Sequence, residues 1–213
     1  MERPANRAAL NLNRVAGIVL AAGASTRMGE DKALLQWDGA TLLERVVATL
    51  RTAGANPIRI VLGANIENVT AQLTLTSPEV VHNPDWKQGM LSSLHAGLRS
   101  LPDNDNDVTG ALVWPVDHPC VSSRLVRQMI ERFEKSRPPI VLPVHKGRRG
   151  HPTLFSAQLF PELLAAPLDE GARRVVRAHA DAILAIETEE DGVLLNLNDR
   201  ETYEQLLSRR PLD

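Results

Sequence analysis

The stretch GIVLAAGASTRMGEDKALL, residues 17–35, begins apolar and ends charged. Its start belongs to a short apolar run, 15–22, which is typical of a buried strand that ends in glycine. Glycines, hydroxyls, an arginine and a lysine follow within a dozen residues. Glycine lets backbone N–H groups approach a ligand closely, and Arg and Lys suit phosphate oxygens. The stretch therefore predicts either an anion-binding loop after a first strand or a polar surface turn with solvated cations.

The glycine spacing excludes the two best-known phosphate loops. Five residues separate Gly23 from Gly29, and two more separate Gly29 from Lys32. A P-loop needs four residues between its glycines and Lys-Ser/Thr directly after the second, and a dinucleotide fingerprint needs three closer glycines. If the loop holds a phosphate, it does so in another way.

Apolar runs and amphipathic stretches alternate along most of the chain, which predicts an α/β fold with a mostly parallel, Rossmann-like sheet and helices on both faces. Strands are expected at 15–22, 58–63, 79–83, 110–117, 139–144 and 182–188. Helices are expected at 41–54, 67–73, 89–101, 123–135, 169–180 and 200–208. The stretch 145–155 is expected to be a turn or a hairpin inserted beside the sheet.

Polar residues follow three of these strands at the point where each strand ends. The first strand leads into the glycine loop, the third into His82-Asn83-Pro84, and the fourth into Asp117-His118-Pro119. Ligands of such sheets bind beyond the carboxyl ends of the strands. Asp117 is therefore a candidate Mg²⁺ ligand, because Mg²⁺ takes one or two protein carboxylates together with substrate phosphates. The alternative is that Asp117 only caps a turn or a helix.

The composition limits which partners and which cellular compartment the protein can be expected to have. The 213 residues are 43% hydrophobic and carry a net charge of −2, so nothing favours nucleic acid or a membrane surface as a partner. One cysteine excludes an internal disulfide framework and fits a reducing cytoplasm. No stretch approaches the roughly 20 apolar residues of a membrane span. We expect a flexible tail over 1–14 and a single domain over 15–208.

LAAGASTRMGEDKALL, residues 20–35, resembles the signature loop of the MobA-like nucleotidyltransferases that make molybdenum cofactor dinucleotides. The resemblance covers about residues 15–208 and implies the nucleotide-diphospho-sugar transferase type of fold. It implies that the loop wraps the triphosphate and base of an NTP, with Arg27 and Lys32 as the phosphate-binding cations. The loop residues expected at the nucleotide are Leu20, Ala21, Ala22, Gly23, Ser25, Arg27 and Lys32.

Two features resemble the CTP:molybdopterin cytidylyltransferase branch of this family. Ala22 stands where guanylyltransferases usually carry glycine, and its methyl group would narrow the base pocket in favour of a pyrimidine. The segment NPDWKQGMLSSLHAG, 83–97, matches the second pattern and places five further residues near the nucleotide: Asn83, Gly89, Met90, Ser92 and Ser93. Without the resemblance, Met90 would be read as core and both serines as ordinary first-turn residues.

The acceptor side and the metal site rest on the same resemblance. Gly150-His151-Pro152 and Asp169–Arg173 match segments on the acceptor side, and the basic stretch 145–151 is either a phosphate contact or a solvated turn. Asp117-x-Pro119 matches the metal motif, with His118 given no role. The second metal motif is replaced by Asn196-Leu197-Asn198-Asp199, so Asn198 is the expected ligand and Asp199 the alternative.

The resemblance implies a cytoplasmic Mg²⁺-dependent enzyme that moves a nucleotidyl group from an NTP, CTP by preference, to molybdopterin and releases pyrophosphate. The departure at 196–199 keeps a sugar-1-phosphate or another phosphorylated metabolite as an alternative acceptor. A nucleotide-binding accessory protein without turnover is an alternative of a different class. The resemblance also allows a molybdoenzyme or accessory-protein partner, and a monomer or weak homodimer.

Overall fold

The computed structural model describes residues 15–25, 29–75, 79–102 and 108–208. The expected N-terminal tail and Arg27 lie outside these residues. The strands are β1 Val15–Ala21, β2 Gln36–Trp37, β3 Ala40–Thr41, β4 Ile58–Leu62, β5 Val80–His82, β6 Gly110–Pro115, β7 Ile140–His145, β8 Arg148–Arg149, β9 Thr153–Ser156 and β10 Ile183–Glu187. The α-helices are α1 Leu42–Ala53, α2 Ile66–Gln72, α3 Met90–Arg99, α4 Ser123–Ser136, α5 Phe160–Ala165, α6 Arg173–Ala178 and α7 Arg200–Leu207.

The main sheet is α/β and mostly parallel, as the sequence predicts. Its strand order is β10-β7-β9-β6-β1-β4-β5, and β8 pairs with β7 at the side. β1 lies between β4 and β6 and runs parallel to both. β9 alone among the strands in this path is antiparallel to its neighbours, β6 and β7.

Helices cover both faces because β1 alternates its apolar side chains between them. Val15 and Val19 belong to the apolar cluster that contains α1 and α4 side chains such as Leu50 and Phe133. Ile18 and Leu20 belong to the cluster on the opposite face, where α3 packs. A strand whose two faces are both buried needs an unbroken apolar run, which is what residues 15–22 supply.

The helix ends follow local chemistry that the sequence carries. The Thr41 hydroxyl accepts from the Glu44 backbone, and the Glu44 carboxylate accepts from the Thr41 backbone, which forms a capping box at α1. Gly54 ends α1 in the left-handed conformation, with φ 92°. The described residues contain no helix long and apolar enough to cross a membrane.

The pattern after residue 144 is where the sequence prediction needs correction. The hairpin is present as β7–β8, but Thr153–Ser156 forms a further strand that inserts between β6 and β7. This strand has four residues, all buried, and so shows no alternation to identify it. The helix expected at 169–180 begins only at Arg173, because Gly171 adopts φ 67°. Helix α5 and the small β2–β3 hairpin were not predicted.

Candidate active site

Two clefts meet at the carboxyl-end edge of the sheet. The first cleft, about 380 Å³ in volume, is lined by residues of the loop after β1, the start of α3, and the segments after β6 and before α7. The second cleft, about 600 Å³, is lined by α3, β6, β9 and the segments 149–151 and 168–177. Leu20, Met90, Pro115 and Asp117 line both clefts. Asp117 is therefore at the junction.

The loop after β1 is folded so that Lys32 turns inward. The Lys32 backbone N–H donates to the Ser25 hydroxyl over 3.0 Å, which closes the far end of the loop. Asp31 caps the short 3₁₀ turn that follows, since its carboxylate accepts from Ala33 N–H at 3.0 Å. Glu30 points outward and pairs with Arg200 at 3.5 Å. The acidic residues of the loop are thus compatible with an anion in the cleft.

Lys32, Asp117 and Asn198 form one cluster at the junction. The Lys32 ammonium donates to Asp117 Oδ2 at 3.3 Å and to Asn198 Oδ1 at 3.2 Å. The Lys32 and Asp117 side chains are only 15% and 17% exposed. Asp117 and Asn198 lie 85 and 166 positions after Lys32 in the chain, and the fold brings all three side chains together.

Backbone hydrogen bonds hold Asn198 beside Asp117. The Leu197 N–H donates to the Asp117 carbonyl at 2.9 Å, so the segment before α7 is tied to the end of β6. Asp199, the alternative metal ligand, instead caps α7: its carboxylate accepts from Thr202 N–H at 2.9 Å and from the Thr202 hydroxyl at 2.7 Å. Of the two candidates, Asn198 is the one whose oxygen faces Asp117 across the Lys32 ammonium.

The donor set at the junction fits a hard divalent cation. Asp117 supplies a carboxylate and Asn198 an amide oxygen, the ligand types that Mg²⁺ prefers. Asp117 Oδ1 is buried and has no hydrogen-bond partner among the described residues. A buried carboxylate oxygen without a partner is costly, and a bound cation or water would satisfy it. No three His, Cys, Asp or Glu side chains converge in the described part of the chain.

The start of α3 forms the opposite wall of the first cleft. Gly89 takes φ 100°, Ser93 lines the cleft, and Met90 is 60% exposed at the rim rather than part of the core. Asn83 and Ser92 are buried behind the wall. The Asn83 amide donates to the hydroxyls of Ser92 and Ser93 at 2.9 and 3.0 Å. These bonds give Asn83 and Ser92 a positioning role for the start of α3, whereas the sequence placed both among the residues near the nucleotide; of these three side chains only Ser93 lines the cleft.

The second cleft collects the segments expected on the acceptor side. Gly150, His151 and the segment Asp169–Arg173 line it, whereas Pro152 does not. An added Cβ at Gly150 would lie 2.6 Å from the Val193 carbonyl oxygen, so only glycine permits this approach. Of the basic residues in 145–151, Arg149 faces this cleft, and Lys146 and Arg148 line a separate depression.

His118, which the sequence left without a role, forms a ring pair with His151. The ring centroids are 4.5 Å apart, and both rings line the second cleft. Burial, and then the neighbouring His151, lowers the pKa of His118 from 6.5 to about 4. Burial also lowers the pKa of His151. Both imidazoles are therefore neutral near pH 7, so neither ring brings a positive charge that would compete with a metal cation for the Asp117 carboxylate.

Trp86 and Lys87 also line the first cleft, although neither was among the residues expected there from the sequence. The Lys87 ammonium lies 5.6 Å from the centroid of the Trp86 ring. A tryptophan two residues after Asn-Pro and just before a helix was visible in the sequence, but only the fold shows that it faces the loop after β1.

Comparison with known proteins identifies the class. A family described as the MobA-like NTP transferase domain matches residues 17–183. This match covers most of the chain and includes β1 from Gly17 onward, the loop after it, and Asp117. The chain belongs to the MobA-like NTP transferase family and is a nucleotidyltransferase of that family.

Named relatives differ in activity. The chain is 36% identical over 171 residues to a protein called nicotine blue oxidoreductase from Paenarthrobacter nicotinovorans, covering 76% of this chain and 81% of the relative. It is 31% identical to a molybdenum cofactor guanylyltransferase from Xanthomonas euvesicatoria, covering 92% and 95%. It is 26% identical to the molybdenum cofactor cytidylyltransferase from Escherichia coli, covering 83% and 92%.

Solved structures agree on the fold. Rv0371c from Mycobacterium tuberculosis superposes with a TM-score of 0.80 at 27% identity, covering 94% of this chain and all of that one. A complex of Rv0371c with manganese gives a TM-score of 0.71 at 25% identity, covering 92% of this chain and all of that one. The expected nucleotide-diphospho-sugar transferase type of fold is confirmed.

Proposed function

We propose that this protein transfers CMP from CTP to a phosphorylated acceptor of the molybdopterin type, releases pyrophosphate and uses Mg²⁺. The observation that carries the proposal is that two clefts meet at Asp117, beside Lys32 and Asn198. A transferase that joins two phosphorylated substrates needs such a junction. The molybdenum cofactor transferases among the relatives support the acceptor class.

The nucleotide is assigned to the first cleft. The loop residues that line it are Leu20, Ala21, Ala22, Gly23, Ser25 and Lys32. A Cβ added at Gly23 would have no atom within 4 Å, so the space beside this glycine is open. Backbone N–H groups of such a loop can approach phosphate oxygens without a side chain intervening. Arg27, outside the described residues, is proposed as the second phosphate-binding cation.

Ala22 supports CTP over GTP. It is buried, 5% exposed, and lines the first cleft together with Trp86. Its carbonyl accepts from Ala64 N–H at 3.1 Å, which fixes the methyl group in the wall. The methyl group takes up space that a glycine would leave to a larger base. The relatives include both a guanylyltransferase and a cytidylyltransferase, so the proposed preference for CTP rests on Ala22 and not on the relatives.

The acceptor is assigned to the second cleft, which combines an apolar wall with charged groups. Its lining includes the apolar Leu91, Leu94 and Phe155 and the basic Arg149, Arg173 and Arg177. A flat ring system would contact the apolar side chains, and a phosphate would pair with the guanidinium groups. His118 and His151 lie in the same wall as neutral hydrogen-bonding groups, beside Asp117.

The reaction follows from this placement. An oxygen of the acceptor phosphate attacks the α-phosphorus of the nucleotide, and the bond to the pyrophosphate oxygen breaks. The attacking phosphate is already anionic, so the site needs no strong general base. Catalysis is then mainly positioning and charge neutralisation. Lys32 would stabilise the negative charge on the departing pyrophosphate.

Asp117 and Asn198 would hold the divalent cation. When bound, the cation supplies positive charge to the phosphate oxygens. Asp117 and Asn198 themselves orient the site at the junction, since one is fixed at the end of β6 and the other by the Leu197–Asp117 backbone bond. The manganese complex of the structural relative supports a divalent cation in proteins of this fold.

The proposal is tested by a panel of four NTPs and a set of phosphorylated acceptors, with pyrophosphate release as the readout. We expect release with CTP and molybdopterin, and stabilisation of the protein against heat by CTP with Mg²⁺. A preference for UTP or dTTP together with a sugar-1-phosphate would show that the acceptor is a sugar-1-phosphate and not molybdopterin. Tight NTP binding without release for any pair would identify a nucleotide-binding accessory protein.

The identity to nicotine blue oxidoreductase favours a second candidate, a redox reaction of nicotine blue or a similar compound in the second cleft. The apolar wall of that cleft is compatible with such a substrate. This reaction would not need the cluster of Lys32, Asp117 and Asn198. Consumption of a reduced nicotinamide nucleotide in the presence of nicotine blue, unchanged by Asp117→Asn, would support it.

A further inference from the structure

The position of the Lys32 ammonium has a consequence for metal binding. Its Nζ atom lies 3.3 Å from Asp117 Oδ2 and 3.2 Å from Asn198 Oδ1, so it occupies the position of a cation that would bridge these two side chains at the junction. Mg²⁺ binds oxygens at about 2.0–2.1 Å. An ammonium and a divalent cation cannot both lie between the same two oxygens, because of their size and their like charge.

We propose that Lys32 competes with the divalent cation for Asp117 and Asn198, so that metal binding at the junction depends on a nucleotide that draws Lys32 away. The inference rests on the proposed function, because it takes the triphosphate to be the alternative partner of Lys32. The lysine stem has four flexible carbons and a strongly hydrated point charge, so the ammonium can exchange one set of oxygens for another.

The geometry of the first cleft allows this exchange. Lys32 lines that cleft, as do Gly23 and Ser25 on the loop that we assign to the triphosphate. The Lys32 backbone is fixed by its bond to the Ser25 hydroxyl, so only the side chain needs to move. Triphosphate oxygens in the cleft would offer the ammonium anionic partners. Asp117 Oδ2 and Asn198 Oδ1 would then be free to bind the cation.

The exchange also sets the order in which the nucleotide, the cation and the acceptor bind. Before the nucleotide binds, the ammonium neutralises Asp117 and weakens its affinity for a cation. After the nucleotide binds, the cation is favoured by both Asp117 and the phosphates. Coupling between two ligands is reciprocal, so the cation must strengthen nucleotide binding by the same factor. The acceptor would meet a metal-loaded junction only when the nucleotide is in place.

The test measures Mn²⁺ binding by electron paramagnetic resonance of the free ion, without acceptor and without turnover. For Lys32→Met, the Mn²⁺ affinity of the nucleotide-free protein should rise about tenfold or more, within the usual range of coupling between sites. Lys87→Met is the matched control, because Lys87 lines the same cleft and its contact is with the Trp86 ring instead. Its Mn²⁺ affinity should stay within about twofold of wild type.

Two further variants keep the test decisive. Lys32→Gln removes the charge but keeps a hydrogen-bonding group, and should raise Mn²⁺ affinity in the same direction even if the methionine variant folds poorly. Adding Asp117→Asn to either Lys32 variant should abolish the gain, which places the ion at the junction. An unchanged Mn²⁺ affinity in both Lys32 variants, or an equal rise in Lys87→Met, would overturn the inference.

The outcome can be separated from that of the proposed function. Failure of every NTP and acceptor pair to release pyrophosphate would reject the reaction and leave the Mn²⁺ competition intact. Conversely, the wild-type enzyme could be active while the Lys32 substitutions leave the Mn²⁺ affinity unchanged. That result would reject only the competition between Lys32 and the cation.

Discussion

Lys32 and Asp117 are the residues on which the proposed chemistry depends most. Lys32→Ala and Asp117→Ala should each lower turnover by about 10²–10³-fold, the usual cost of removing one preorganised electrostatic contact. Both variants should remain folded, because both side chains face a cleft rather than the apolar core. Lys87→Ala, in the same cleft, is the control for a general loss of positive charge. Near-wild-type turnover in either of the first two variants would remove that residue from the mechanism.

Ala22 is the residue from which we predict the preferred nucleotide base. Ala22→Gly should raise the relative use of GTP over CTP by about tenfold or more, since one methyl group in a pocket discriminates by about 1–3 kcal/mol. The measurement is the ratio of kcat/KM for the two nucleotides. A ratio that stays at the wild-type value would show that the base is selected elsewhere, with Trp86 as the next residue to change.

His118 makes the stability of the protein depend on pH. Its pKa is about 4 in the folded chain and near 6.5 when unfolded, so the unfolded chain binds more protons between these values. The free energy of unfolding should therefore fall as the pH is lowered from 6.5 towards 4. Thermal melts in EDTA should show a shallower fall for His118→Gln than for wild type. His82→Gln, at an exposed histidine, is the control, and an equal change in both variants would contradict the assignment.

At the residue scale, some of the contacts around the junction involve residues chosen from the sequence, and others do not. Lys32, Asp117 and Asn198 were chosen from the sequence, and the structure brings them together. The internal bonds of Asn83 and Ser92 were not predictable, because they depend on how α3 packs against the segment after β5. The pairing of His118 with His151 depends likewise on a contact between distant segments.

At the scale of elements, the junction depends on loops that approach one another closely. Gly150 is the clearest case, since an added Cβ would lie 2.6 Å from the Val193 carbonyl oxygen and 2.7 Å from the Val193 Cβ. Gly150→Ala should cost about 1–3 kcal/mol of stability, which corresponds to a fall in Tm of roughly 2–12 °C.

Gly23→Ala is the matched control for Gly150→Ala. Nothing lies within 4 Å of a Cβ added at Gly23, so its Tm should stay close to wild type. Its affinity for a nucleotide should fall instead, because the added methyl group enters the space assigned to the phosphates. Equal Tm losses in the two variants would show that the close approach at Gly150 is not what limits stability.

The elements that alternate in the sequence were predicted close to their observed bounds, because long amphipathic helices and buried strands carry strong periodic signals. β9 was missed because four buried residues carry no period, and its antiparallel partners are set by the tertiary fold. The late start of α6 follows from the backbone conformation of Gly171, which the helical pattern of the segment does not reveal.

At the scale of the whole molecule, the sheet places two clefts on either side of one carboxylate. β1 and β6 are adjacent and parallel, so the loop after β1 and Asp117 after β6 emerge at the same edge. The Leu197–Asp117 bond brings the segment before α7 to that edge as well. The fold thereby assembles a site from three separate parts of the chain.

A double-label experiment tests nucleotidyl transfer at this junction most directly. Wild-type protein is incubated with Mg²⁺, molybdopterin, and CTP labelled separately at its α- and γ-phosphates. We expect the α label to move to the acceptor and the γ label to leave in pyrophosphate, and we expect neither transfer in Asp117→Ala. Absence of the α label from the acceptor, with CTP bound or merely hydrolysed, would contradict nucleotidyl transfer.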